Sequence, residues 1–97
     1  MSILHTVNTS PFQTLALQQC LSLLNEVDTL LLIEDAVIAS QAKHSFVLEL
    51  TKLSEQGRLK VLSSDLSARG IENTIGDKCS YNDFVTLVTE HKSQMAW

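Results

Sequence analysis

The sequence predicts an α/β fold: a small single-domain, doubly wound, mostly parallel sheet of about four or five strands with helices on both faces. Three observations predict it. Short apolar runs recur with segments of helical period between them, so strand and helix alternate along most of the chain. Thr29-Leu30-Leu31-Leu32-Ile33 is apolar without alternation, as in a strand covered on both faces. A length of 97 residues, 44% of them apolar, gives one core and no room for a second. The domain is therefore expected to span residues 1–97.

Ile3 to Val7 is rich in apolar and β-branched residues and reads as the first strand, closed by the turn residues Asn8-Thr9-Ser10-Pro11. From Phe12 the period changes. Leu17, Cys20, Leu21 and Leu24 follow the spacing of one helix face, with Ser10 as the expected N-cap and Pro11 in the first helical position. Asn25 to Asp28 breaks this helix before the Thr29–Ile33 strand. Ala36 to Gln41 predicts a short helix. Ser45 to Glu55 predicts another, with Phe46, Leu48, Leu50 and Leu53 at helical spacing and Gly57 as its stop. Lys60-Val61-Leu62 is the third strand, and Ser64 to Gly70 a helical turn or two ending on glycine. Asp77 to Tyr81 reads as a short fourth strand. Asn82 is the expected cap of a last helix whose Phe84, Val85, Leu87 and Val88 face the core. Gln94 to Trp97 then forms an edge strand.

Composition excludes several classes of function. A net charge of −4 with scattered basic residues argues against autonomous nucleic-acid binding, which needs clustered Lys and Arg. Apolar runs such as Leu30 to Ile33 are far short of a membrane span. The start Met1-Ser2-Ile3-Leu4-His5 lacks the basic and apolar regions of a signal peptide, so the expected location is cytoplasmic and Cys20 and Cys79 are expected as reduced thiols. Gly57, Gly70 and Gly76 make no phosphate-binding pattern. His5, His44 and His91 share no ligand spacing with either cysteine. No cofactor or metal is expected.

The two thiols are the sharper candidates for chemistry. A reactive thiol needs partial exposure and an electropositive neighbour, because the thiolate is the nucleophile. Cys20 sits mid-helix on the apolar stripe, which favours core packing over sulfur chemistry. Cys79 adjoins Lys78 near a strand end, a better electrostatic setting but a single lysine. Asp35 follows the second strand, where open α/β sheets place ligand crevices, but its expected role is helix capping or compensation of the dipole in a first helical turn. His5 fits a satisfied core histidine. Arg69 suits the C-terminal dipole of its short helix, with partner carboxylates as a second use. Trp97, the only tryptophan, follows Met95, and both residue types are enriched in interface cores. The indole is expected to dock on the chain's own sheet edge or on a neighbouring subunit, with Met95 and Trp97 as interface candidates.

Several segments together resemble one family. Leu4-His5-Thr6 and Ser10-Pro11-Phe12 resemble the start of TusB/DsrH proteins. So do Leu31 to Val37, Asp65-Leu66-Ser67-Ala68-Arg69-Gly70, Tyr81-Asn82-Asp83-Phe84-Val85 and the closing Ser93-Gln94-Met95-Ala96-Trp97. They are spread in order along nearly the whole chain, and the chain has the family's length. The resemblance implies a DsrEFH-like fold and a non-catalytic place in a cytoplasmic sulfur relay. There TusB, TusC and TusD subunits form a heterohexamer, a dimer of heterotrimers. The complex receives persulfide sulfur from TusA and passes it to TusE, toward 2-thiolation of the tRNA wobble uridine. The resemblance also implies that the persulfide cysteine belongs to the TusD-type subunit.

Cys20 matches a first-helix cysteine of the DsrH branch, which serves sulfur oxidation, so a thiol-based carrier is the alternative reading. A third reading is a stand-alone ligand-binding domain using the crevice near Asp35. The leading expectation is an accessory subunit without direct contact to nucleic acid or membrane, forming homo-oligomers when isolated.

Overall fold

The computed structural model describes residues 2–41 and 43–97. Among them five strands, β1 (Ile3–Val7), β2 (Thr29–Leu32), β3 (Leu59–Leu62), β4 (Asp77–Cys79) and β5 (Ser93–Ala96), form one sheet in the order β4-β3-β2-β1-β5. Every neighbouring pair is parallel. The connections are α1 (Ala16–Leu23), a 3-10 helix (Glu34–Ser40), α2 (Val47–Glu55), α3 (Ser63–Ala68) and α4 (Tyr81–Glu90). The predicted α/β class is the observed one, with the sheet parallel throughout.

The chain steps outward from β1 to β4 and then returns past β1 to place β5 at the far edge. Right-handed crossovers put α1, the 3-10 helix, α2 and α3 on one face and α4 on the other. Strand alternation sorts the core accordingly. Val7, Leu30, Leu32, Leu59 and Val61 join Leu17, Cys20, Val37, Leu50 and Leu66 in the larger cluster. Leu4, Leu31 and Cys79 point the other way, where Phe84 and Leu87 cover them. All four residues of β2 are buried, as its unbroken apolar run predicts.

Several expected element starts move. Ser10 does not cap α1. Its carbonyl accepts from the Gln13 and Thr14 N–H groups and its hydroxyl from the Phe12 N–H, closing a separate turn. The helix begins five residues later, after Leu15 and without a side-chain cap. Ser80, not Asn82, caps α4: its Oγ accepts from Asp83 N–H and the Asp83 carboxylate accepts from Ser80 N–H, both at 3.1 Å. Val85 and Val88 are 48% and 41% exposed, contrary to expectation. A lone helix on its face meets the sheet with one row of side chains, and Phe84 and Leu87 fill that row. Leu48 likewise lies outside the core, on the solvent side of α2.

Gly76 leads into β4 at φ +85°, and a Cβ there would lie 2.9 Å from Cγ2 of the buried Val61. Both the backbone and the neighbouring core reject a side chain. Gly76→Ala is expected to lower unfolding stability by about 1–3 kcal/mol. Ser80→Ala, which removes a cap, is expected to cost about 1 kcal/mol. Thermal midpoints by circular dichroism check the ranking.

Candidate functional site

Cys20 lies in the middle of α1 and is fully buried in the larger core cluster. Burial above all, and then the nearby Asp28 carboxylate, push its thiol up to about 12. At neutral pH the thiolate fraction is negligible, so the side chain behaves as a small apolar residue. Cys79 ends β4 and is also buried, with its thiol donating to the Ser80 carbonyl at 3.4 Å. Burial and then Asp83 raise its pKa, and Lys60 opposes them only in part. The cation that reaches Cys79 is therefore Lys60 rather than the adjacent Lys78. An open hollow of about 200 Å³ lies beside it, lined by Lys60, Lys78, Asp83 and Glu90 among others. The two thiols sit on opposite faces of the sheet and form no dithiol pair.

The most connected polar group is one that sequence reasoning passed over. Asp28, just before β2, is fully buried. Its carboxylate accepts from Ile3 N–H at 3.0 Å, from Asn25 N–H at 3.1 Å and from His5 Nε2 at 2.9 Å. The other His5 ring nitrogen, Nδ1, lies 3.1 Å from Trp97 Nε1. An indole N–H can only donate, so Nδ1 accepts and the imidazole proton sits on Nε2, directed at Asp28. The His5 and Trp97 rings stack with their planes 23° apart. Burial would raise the Asp28 pKa, but the hydrogen bonds from His5, Asn25 and Ile3 hold it below the usual carboxylate value. Nothing in the spacing of residues 5, 28 and 97 announces this contact. The signal was an acid directly at the entrance of an apolar strand, and the parallel register of β1 on β2 brings it under His5.

Trp97 thus docks on the chain's own sheet, and its indole packs against the larger core cluster. Met95 is 41% exposed on the edge strand. Asp35 lies in the first turn of the 3-10 helix and pairs with Arg69 at 3.0 Å; Arg69 also reaches Asp65 at 3.5 Å. The Asp65 carboxylate accepts from the N–H of Glu34, which stands at φ +50°. These ties clamp the 3-10 helix to α3 and leave the guanidinium occupied within the chain. His44 bonds the Ala39 carbonyl, and His91 bonds the Leu87 carbonyl and the Thr29 hydroxyl. Among the described residues no three His, Cys, Asp or Glu side chains converge as a metal site, and no helix is long and apolar enough to cross a membrane.

Two outcomes follow from this geometry. Both thiols are expected to resist iodoacetamide at pH 8 in the native protein and to react fully in denaturant, as read by intact mass. Asp28→Asn is expected to cost about 1–3 kcal/mol at neutral pH, because it sets a donor among donors. The Asp28 carboxylate titrates lower when folded than unfolded, so its stabilisation is present above the unfolded pKa and lost as pH falls through the folded one. The urea-midpoint gap between wild type and Asp28→Asn should therefore narrow in acid.

Residues 9–94 match the family model described as DsrH like protein. The chain is 37% identical to Protein TusB of Pectobacterium parmentieri, 38% to that of Klebsiella pneumoniae (strain 342) and 35% to that of Cronobacter sakazakii. Each alignment covers 98% of this chain and 100% of the relative. Together with the five-stranded parallel fold, these matches show that the chain belongs to the TusB/DsrH family.

Proposed function

We propose that the chain is a non-catalytic subunit of a cytoplasmic sulfur-relay complex of the TusBCD type, with residues 1–97 acting as one DsrH/TusB-like domain. Its partners in this reading are TusC-like and TusD-like subunits in a dimer of heterotrimers. The complex carries persulfide sulfur from a TusA-like donor to a TusE-like acceptor, toward 2-thiolation of the tRNA wobble uridine. The chain itself touches neither tRNA nor membrane.

The state of the two thiols carries this reading. A persulfide carrier must present a thiolate to a donor protein, attack its outer sulfur and then release that sulfur to an acceptor. Cys20 is sealed in the core and Cys79 is buried with a raised pKa. The same burial weighs against the DsrH-like alternative, in which Cys20 carries sulfur for sulfur oxidation. Nor does the Asp35 crevice favour a stand-alone ligand domain, since Arg69 already occupies that carboxylate. Full-length similarity to proteins named TusB supports the place in the relay.

The test is replacement of both cysteines by serine in cells, followed by measurement of wobble-uridine 2-thiolation and of complex assembly. Thiolation is expected to persist. Loss of thiolation with the complex intact overturns the non-catalytic reading.

A further inference from the structure

The two edges of the sheet are not alike. An edge strand exposes unpaired backbone N–H and C=O groups, and folded proteins guard such edges with charge, proline, bulges or brevity. β4 is guarded: it has three residues, two of them the charged Asp77 and Lys78, and Lys60 bridges to Asp77 at 3.1 Å. β5 has no such guard. Its Ser93-Gln94-Met95-Ala96 run is uncharged, all four residues are exposed, and among the described residues it pairs with β1 alone.

The backbone of β5 has a definite polarity. Trp97 N–H donates to the Thr6 carbonyl at 2.8 Å, so it faces β1. Successive backbone groups point to opposite edges of a strand. The N–H and C=O of Gln94 and of Ala96 therefore face outward. Two copies meeting about a two-fold axis through Met95 satisfy all of them at once. Gln94 of one exchanges two hydrogen bonds with Ala96 of the other, and the symmetry repeats the pair. Met95 then faces its own counterpart in the closer, non-hydrogen-bonded position, on the sheet face that also carries His5 and Trp97. No charge on Ser93–Ala96 opposes this meeting, and the Trp97 indole, turned back onto His5, leaves the edge clear.

We propose that β5 is a self-complementary docking edge that joins two copies of this chain through antiparallel β5–β5 pairing, making one continuous sheet. This rests on the geometry of the edge and is independent of the sulfur-relay reading.

Sedimentation velocity of the full chain, from low to high micromolar concentration, tests it. The expected species at high concentration has twice the 10.7 kDa of the monomer. Ala96→Pro removes one outward N–H without touching the bonds to β1, and is expected to give monomer. Met95→Lys and Met95→Glu each set like charges opposite one another and should weaken association at least roughly tenfold. An equal mixture of the two should restore a dimer containing one of each. Fluorescence of the single tryptophan, unchanged in each variant, shows that β5 remains seated. A wild-type chain that stays monomeric throughout overturns the proposal and leaves the edge to a strand of another protein. So does a Met95→Lys dimer as tight as wild type, which places the contact elsewhere, or a mixture that fails to associate.

Discussion

The buried carboxylate of Asp28 is the point on which the fold's long-range connections converge. Through its side chain it holds β1 at Ile3 and His5 and the turn at Asn25. Its own carbonyl accepts from Arg58 Nε at 2.8 Å, and the Arg58 guanidinium also bonds the Asn25 carbonyl. The Arg58 backbone carbonyl in turn accepts from Leu30 N–H at the mouth of β3. His5 passes the link on to Trp97 and so to the last strand. One acid thereby ties three adjacent strands at their N-terminal ends and the chain's final residue. Buried ion networks add little net stability over packed apolar groups, whereas losing one member strands the others at considerable cost. The weight of this network therefore lies in fixing which residues meet.

That constraint acts on a sheet covered unequally. Four helical segments pack one face and contribute most of the buried residues of the larger cluster. The other face has α4, of which no residue is fully buried, with Phe84 and Leu87 half-buried above Leu4, Leu31 and Cys79. The disparity follows from topology. Three outward steps lay their crossovers on one side, and the single return step lays one on the other. Tyr81, Val85 and Val88 remain exposed along α4 as a result. The capping box at Ser80 and the His91 bonds to Leu87 and Thr29 fix both ends of a helix that packing alone holds weakly.

The strands were legible in the sequence because burial on both faces leaves a continuous apolar run, and β2 shows it plainly. The helix starts were less so. Ser10-Pro11 has the composition of a cap, yet the same hydroxyl and carbonyl serve a local turn just as well, and nothing in the sequence ranks the two. Val85 and Val88 have helical spacing but no second layer to meet, a fact that depends on strand order rather than on local pattern. Asp28 was hidden for the same reason. Its β1 partners, His5 and Ile3, are 23 and 25 residues away in sequence and become neighbours only through the register of β1 on β2. The burial of Cys20, by contrast, was readable from its place on the stripe with Leu17 and Leu21.

The closing run Ser93–Trp97 posed an alternative between an internal anchor and an intersubunit contact. The structure removes the opposition by separating the two in direction. The Trp97 indole turns inward, stacks on His5 and closes the polar network, while its N–H completes the pairing of β5 with β1. The backbone of Gln94 and Ala96 faces away from β1, perpendicular to the direction in which the indole points. A residue whose side chain secures the strand therefore leaves that strand's outer edge free, and does so because it is secured. A loosely held terminal strand would fray and present no fixed row of donors and acceptors. Anchoring of the tail is thus the physical condition for an ordered edge.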